Sequence, residues 1–116
     1  MITIDDYNMG NSGSIRNMVK KLGVESEITS DRRRVASASK LILPGVGAFD
    51  AGIESLERSG LIPLLNERVL EGVPVLGICL GMQLMGRSST EGERRGLGWS
   101  SIPPEKDLQV RHALVA

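Results

Sequence analysis

Cys79, the only cysteine in the chain, stands between two glycines in Gly77-Ile78-Cys79-Leu80-Gly81, directly after the apolar run Val73 to Ile78. This is the spacing of a nucleophile elbow, a sharp strand-to-helix turn whose flanking positions must be small and whose central side chain is pushed out beyond the sheet. At the first residues of a helix, unsatisfied N–H groups and the positive end of the dipole favour a thiolate. A lone cysteine among aliphatics is otherwise an ordinary small hydrophobe. The two glycines at elbow spacing after a strand favour the reactive reading.

A thiolate attacking an acyl carbon needs donors for the developing oxyanion. Leu43-Pro44-Gly45-Val46-Gly47-Ala48-Phe49-Asp50 offers a loop whose glycines let backbone N–H groups turn toward a ligand. It is not a dinucleotide loop, because the third glycine of that fingerprint would fall at position 50, where Asp50 stands. A plain tight turn is the competing reading. The polar loop Asp5 to Ser14 precedes a helix that Ser12 or Ser14 could cap. No lysine follows in the P-loop manner, so it reads as an ordinary βα loop rather than a phosphate site.

The elements that must position these loops alternate along the chain. Met1 to Ile4 is a short strand, and Ile15, Met18, Val19 and Leu22 recur on one helical face that Gly23 ends. Val24 to Ile28 is a weaker strand, Ser30-Asp31 can cap a short arginine-rich helix, and Lys40 to Leu43 is a strand closed by Pro44-Gly45. Phe49, Ile53 and Leu56 mark one further helix, and Leu61, Leu64, Leu65 and Val69 another, before the strand that carries Cys79. Strands separated by helices imply βαβ units, hence a doubly wound, flavodoxin-like α/β fold with a mainly parallel sheet. Ligands of such sheets bind beyond the carboxyl ends of the strands, which puts the loops after Ile4, Leu43 and Ile78 on one edge.

Composition excludes other classes. A chain of 116 residues, 41% hydrophobic, makes one domain. Fourteen basic and fourteen acidic residues cancel, so neither nucleic acid nor a membrane surface is an expected partner. A single cysteine forms no internal disulfide, and no apolar run is long enough to span a membrane. Met1 leads straight into a strand pattern rather than a leader, so a cytoplasmic protein is expected. One histidine and one cysteine cannot build a zinc site; no metal and no cofactor is expected. Arg32-Arg33-Arg34 is most simply a solvated helix face, with contact to an acidic partner as the alternative.

Asp6-Tyr7-Asn8-Met9-Gly10-Asn11, Leu43 to Phe49 and Gly77 to Met85, in this order and separation, resemble the class I (triad) glutamine amidotransferases. Among these they are most similar to the glutaminase subunits of imidazole glycerol phosphate synthase. The similarity runs from Met1 to about Trp99. It implies that Cys79 attacks glutamine, giving glutamate and ammonia that is channelled to a synthase (cyclase) subunit, the heterodimer partner, in histidine biosynthesis. The backbone N–H groups of Leu80 and Val46 match the oxyanion donors. Gly45 and Gly47 of the same loop, together with Gln83, match positions that hold glutamine, and Asn11 matches a position near the subunit interface. In the family this loop rearranges when the partner binds its own substrate.

The same resemblance implies a His-Pro-Glu segment near the carboxyl end, which this sequence does not match. Its one histidine, His112, is followed by Ala113-Leu114, and Pro104-Glu105 is preceded by Pro103. His112 therefore reads as a surface histidine, with the triad base as the alternative. Residues 1–99 read as the N-terminal part of an amidotransferase domain and 100–116 as an irregular, divergent tail, so the fold is expected to be incomplete at that end. A chain lacking the base is expected to form a thioester slowly and to turn over negligibly. Two other functions fit the residues. An amidotransferase for surface-polysaccharide sugar amination is one, to which Asn8 and Met85-Gly86-Arg87 point; a non-catalytic interaction domain of the same fold is the other.

Overall fold

The structure, a computed structural model, describes residues 1–85, 96–98 and, as backbone, 110–113. Ten elements follow in chain order: β1 (Ile2–Asp5), α1 (Ser12–Lys21), β2 (Ser26–Thr29), α2 (Arg32–Ala36), β3 (Leu41–Leu43), α3 (Phe49–Ser59), α4 (Ile62–Leu70), β4 (Val75–Ile78), α5 (Leu80–Leu84) and β5 (Val110–Ala113). The strands form one sheet in the order β2-β1-β3-β4-β5, and each neighbouring pair is parallel. The chain therefore winds outward from β1 in both directions, as the expected doubly wound class requires.

Local chemistry sets the helix ends. Asp31 caps α2, its carboxylate accepting from the Arg33 N–H at 2.8 Å. Gly23, at φ 80°, follows α1 and donates its N–H to the Lys20 carbonyl. Neither Ser12 nor Ser14 caps α1: Asn11 occupies that position in a left-handed conformation, without a side-chain cap bond.

Strand alternation sorts the core into two layers. Ile4, Ile42 and Ile78 face α1 and pack with its Ile15 and Val19. Leu41, Leu43 and Val75 face the other way, against Val35 of α2, Phe49, Ile53 and Leu56 of α3, Leu65 and Val69 of α4, and Leu80 and Leu84 of α5.

Two expectations need correction. β1 extends to Asp5, one residue beyond the apolar pattern, because its backbone pairs in register with Thr29 of β2. The stretch 100–116 is not wholly irregular. Val110–Ala113 pairs with β4, Val110 opposite Val75 and His112 opposite Gly77. Four residues suffice for a strand when an existing edge supplies the hydrogen-bond partners, although they are too few to show a period in sequence. The expected incompleteness concerns residues outside those described.

Candidate active site

The turn between β4 and α5 has the geometry of an elbow. Cys79 adopts φ 52°, a left-handed conformation that costs a residue with a Cβ roughly 1–3 kcal/mol. The turn sits at the carboxyl end of β4, and the thiol-bearing residue is partly accessible. Gly81 shows why its position must be small. A Cβ there would overlap the backbone carbonyl of Leu43, and backbone cannot swing aside as a long side chain can. Gly81→Ala is expected to destabilise the chain by about 2–3 kcal/mol, read as a lower urea midpoint with an unchanged slope; a wild-type midpoint would contradict the packing.

The loop after β3 lies against this turn. Gly45, at φ 146°, is buried, and a Cβ on it would overlap the Tyr7 hydroxyl. Tyr7 is 3% exposed and its phenol donates to the Pro44 carbonyl. The Leu80 N–H donates to the Gly45 carbonyl at 3.1 Å, and the Val46 N–H to the Met9 carbonyl at 3.0 Å. Both groups expected to face an oxyanion are thus engaged within the chain. The acceptor of the first bond and the donor of the second share one peptide: the Gly45 carbonyl and the Val46 N–H belong to the same planar unit. A single rotation of that unit would release the Leu80 N–H and re-aim the Val46 N–H together.

In front of Cys79 lies a cavity of about 320 Å³ between Val46, Ile78 and, from α1, Asn11, Ser14, Ile15 and Met18. Its size falls within the range of small-molecule sites. Among the predicted residues, Cys79, Val46 and Asn11 come together here. Leu80 and Gly45 meet through their hydrogen bond. Gln83, half-buried on α5, and Gly47, at φ 125°, flank the site without lining this cavity. His112 is placed only by its backbone, opposite Gly77 and two residues along the neighbouring strand from the elbow.

Sequence reasoning missed Tyr7 and Asp5. Tyr7, the sole tyrosine, belonged to a recognised motif but had no assigned role. Asp5 looked like the first loop residue, yet it is 1% exposed and neither carboxylate oxygen has a hydrogen-bond partner among the described residues. Burial, reinforced by the adjacent Asp6 charge, raises its carboxyl to about 7. Burial, then the Asp5 charge, also pushes the Tyr7 phenol above its usual range, so it stays a donor. No helix among the described residues is long and apolar enough to cross a membrane.

The family described as glutamine amidotransferase class-I matches residues 3–112. Imidazole glycerol phosphate synthase subunit HisH 2 of Methanococcus maripaludis is 54% identical over 100 residues, covering 85% of this chain and 50% of the relative. HisH 2 of Pseudomonas aeruginosa is 48% identical with the same coverage, and subunit HisH of Streptococcus mutans is 45% identical over 87% of this chain and 51% of its own length. The chain thus spans about half the length of the curated relatives it matches. A crystal structure of a glutamine amidotransferase superposes with a TM-score of 0.71 at 21% identity, covering 84% of this chain and 52% of that one, a likeness of fold.

Proposed function

This chain belongs to the class-I glutamine amidotransferase family, and from that premise we propose that it carries the nucleophilic half of a glutaminase reaction that supplies ammonia to a cyclase partner, as a subunit of imidazole glycerol phosphate synthase. The observation that carries the reading is the strained Cys79 beside a loop peptide whose carbonyl accepts the Leu80 N–H and whose own N–H donates to the Met9 carbonyl. The Cys79 sulfur adds to the glutamine side-chain carbonyl carbon, the thiol proton passes to the leaving nitrogen, and the C–N bond breaks to release ammonia. Water then hydrolyses the glutamyl thioester to glutamate. Asn11, Gly47 and Gln83 are assigned to the surroundings of glutamine and the partner interface, on the strength of the motif match and their positions around the elbow.

In the resting arrangement the reaction is held back, because the Leu80 and Val46 N–H groups are spent on carbonyls. A tetrahedral oxyanion would lack donors that are each worth about 10²–10³ in rate. Among the described residues, the cavity lining holds no titratable group other than Cys79. Acylation by this chain alone is therefore slow and turnover negligible, and the partner's role is to turn the 45–46 peptide. The test is protection. Glutamine at about ten times its dissociation constant should slow iodoacetamide alkylation of Cys79 about ten-fold, whereas asparagine, shorter by one methylene, should protect far less. Equal alkylation with and without glutamine would defeat the assignment.

A further inference from the structure

Three features of the described molecule stand outside this mechanism. A polar pocket between Asn8, Ser30, Ser55, Arg58 and Ser59 contains no buried unpartnered group. An apolar groove at the amino ends of β3 and β4 has no identified occupant. The third is Tyr7, whose place in the fold is unusual for a loop residue. Its ring belongs to the main core cluster with Leu43, Phe49 and Leu80, and its hydroxyl reaches 37 positions along the chain to the Pro44 carbonyl.

We propose that Tyr7 is a latch that holds the oxyanion loop in its resting arrangement and thereby sets how often the site opens without a partner. This rests on the glutaminase reading. Pro44, Gly45 and Val46 are each tied down by one hydrogen bond, and these come from two segments: the Tyr7 hydroxyl and the Met9 carbonyl of the loop after β1, and the Leu80 N–H of the elbow. The last two bonds act on the peptide that must rotate. The first acts on the peptide just before it, and the same hydroxyl fills the side of Gly45 where a Cβ would stand. Any turn at Gly45 therefore moves backbone against a rigid, buried phenol. The core fixes the ring, so this restraint does not relax when the exposed end of the loop moves; Val46, by contrast, is 48% exposed. Tyr7 positions the donors without touching the substrate.

Tyr7→Phe keeps the ring in the core and removes only the hydroxyl. Amide hydrogen exchange at Val46 and Leu80 should accelerate about five- to ten-fold, the factor given by losing one hydrogen bond of ordinary strength. Exchange at Ile4 and Ile42 should not change. Cys79 acylation by the chromogenic substrate γ-glutamyl-p-nitroanilide, followed as the first released equivalent of nitroaniline, should rise by a similar factor. Iodoacetamide alkylation of Cys79, which passes through no oxyanion, should stay at the wild-type rate. A merely structural role would move both cysteine reactions or neither. Unchanged exchange at Val46 and Leu80, or slower acylation in the variant, would overturn the latch. A wild-type chain that is never acylated, with exchange still accelerated in the variant, would refute the glutaminase reading and leave the latch standing.

Discussion

Cys79→Ser should abolish the covalent glutamyl product, lowering the rate of acylation by on the order of 10³-fold or more, while the chain melts within about 0.5 kcal/mol of wild type. The size of the effect follows from the site. Sulfur is intrinsically far more nucleophilic than a hydroxyl oxygen, and a serine hydroxyl needs an adjacent base. Among the described residues the cavity lining provides none. The conserved stability follows from the backbone: serine would meet the same left-handed φ of 52° at position 79, so the strain is common to both chains and cancels. Intact-protein mass spectrometry after incubation with γ-glutamyl-p-nitroanilide measures the adduct, and a urea melt controls for folding. A serine variant that acquires the adduct at the wild-type rate would place the nucleophile elsewhere.

The second large effect concerns Asp5 and has the opposite sign. A carboxylate at the end of β1, 1% exposed and without a hydrogen-bond partner at either oxygen among the described residues, is a burden in its charged form. Burial, then the neighbouring Asp6 charge, pushes its carboxyl up to about 7 in the folded chain from the ordinary value of 3.8. Between those values the folded chain binds the proton that the unfolded chain has released. Stability therefore falls as pH rises through this window, and the loss is complete above about pH 7. A shift of roughly three units at 1.36 kcal/mol each gives about 4 kcal/mol as the upper bound. Asp5→Val, which suits a buried strand position, should recover about 2–4 kcal/mol at pH 8 and gain much less at pH 4.5. Urea denaturation of both chains at several pH values tests this. The two curves should converge toward acid; parallel curves would show that the buried carboxyl is not the source.

Much of the architecture was legible because it depends on neighbours in sequence. The stop at Gly23 and the Asp31 cap are local devices, and each appears in the structure near where the pattern puts it; of the helical face Ile15, Met18, Val19 and Leu22, Ile15 and Val19 are buried while Met18 and Leu22 are exposed. The alternation of strands and helices fixed the parallel topology, since a parallel connection needs a crossover. Of two failures, one is local in origin and the other is not. The cap of α1 fell to Asn11, because a left-handed entry there leaves both serines within the helix. The strand at Val110–Ala113 was invisible, because its pairing is decided by the edge of β4 rather than by its own period.

By itself, then, the sequence determined the class of fold, the order of its elements, and the presence of a cysteine between two glycines where a strand becomes a helix. Periodicity, caps and glycine spacing act over a few residues and can be read along the chain. What only the tertiary structure decided is the state of the site. The Gly45 carbonyl caps the Leu80 N–H, the Met9 carbonyl caps the Val46 N–H, and Tyr7 grips Pro44 from the core. These pairings join residues about 35 positions apart, and they exist because β1, β3 and β4 lie side by side in the sheet. Hydrogen bonds are short and directional, so whether a loop donor faces a substrate or a carbonyl of its own chain depends on distances that only the assembled sheet can set.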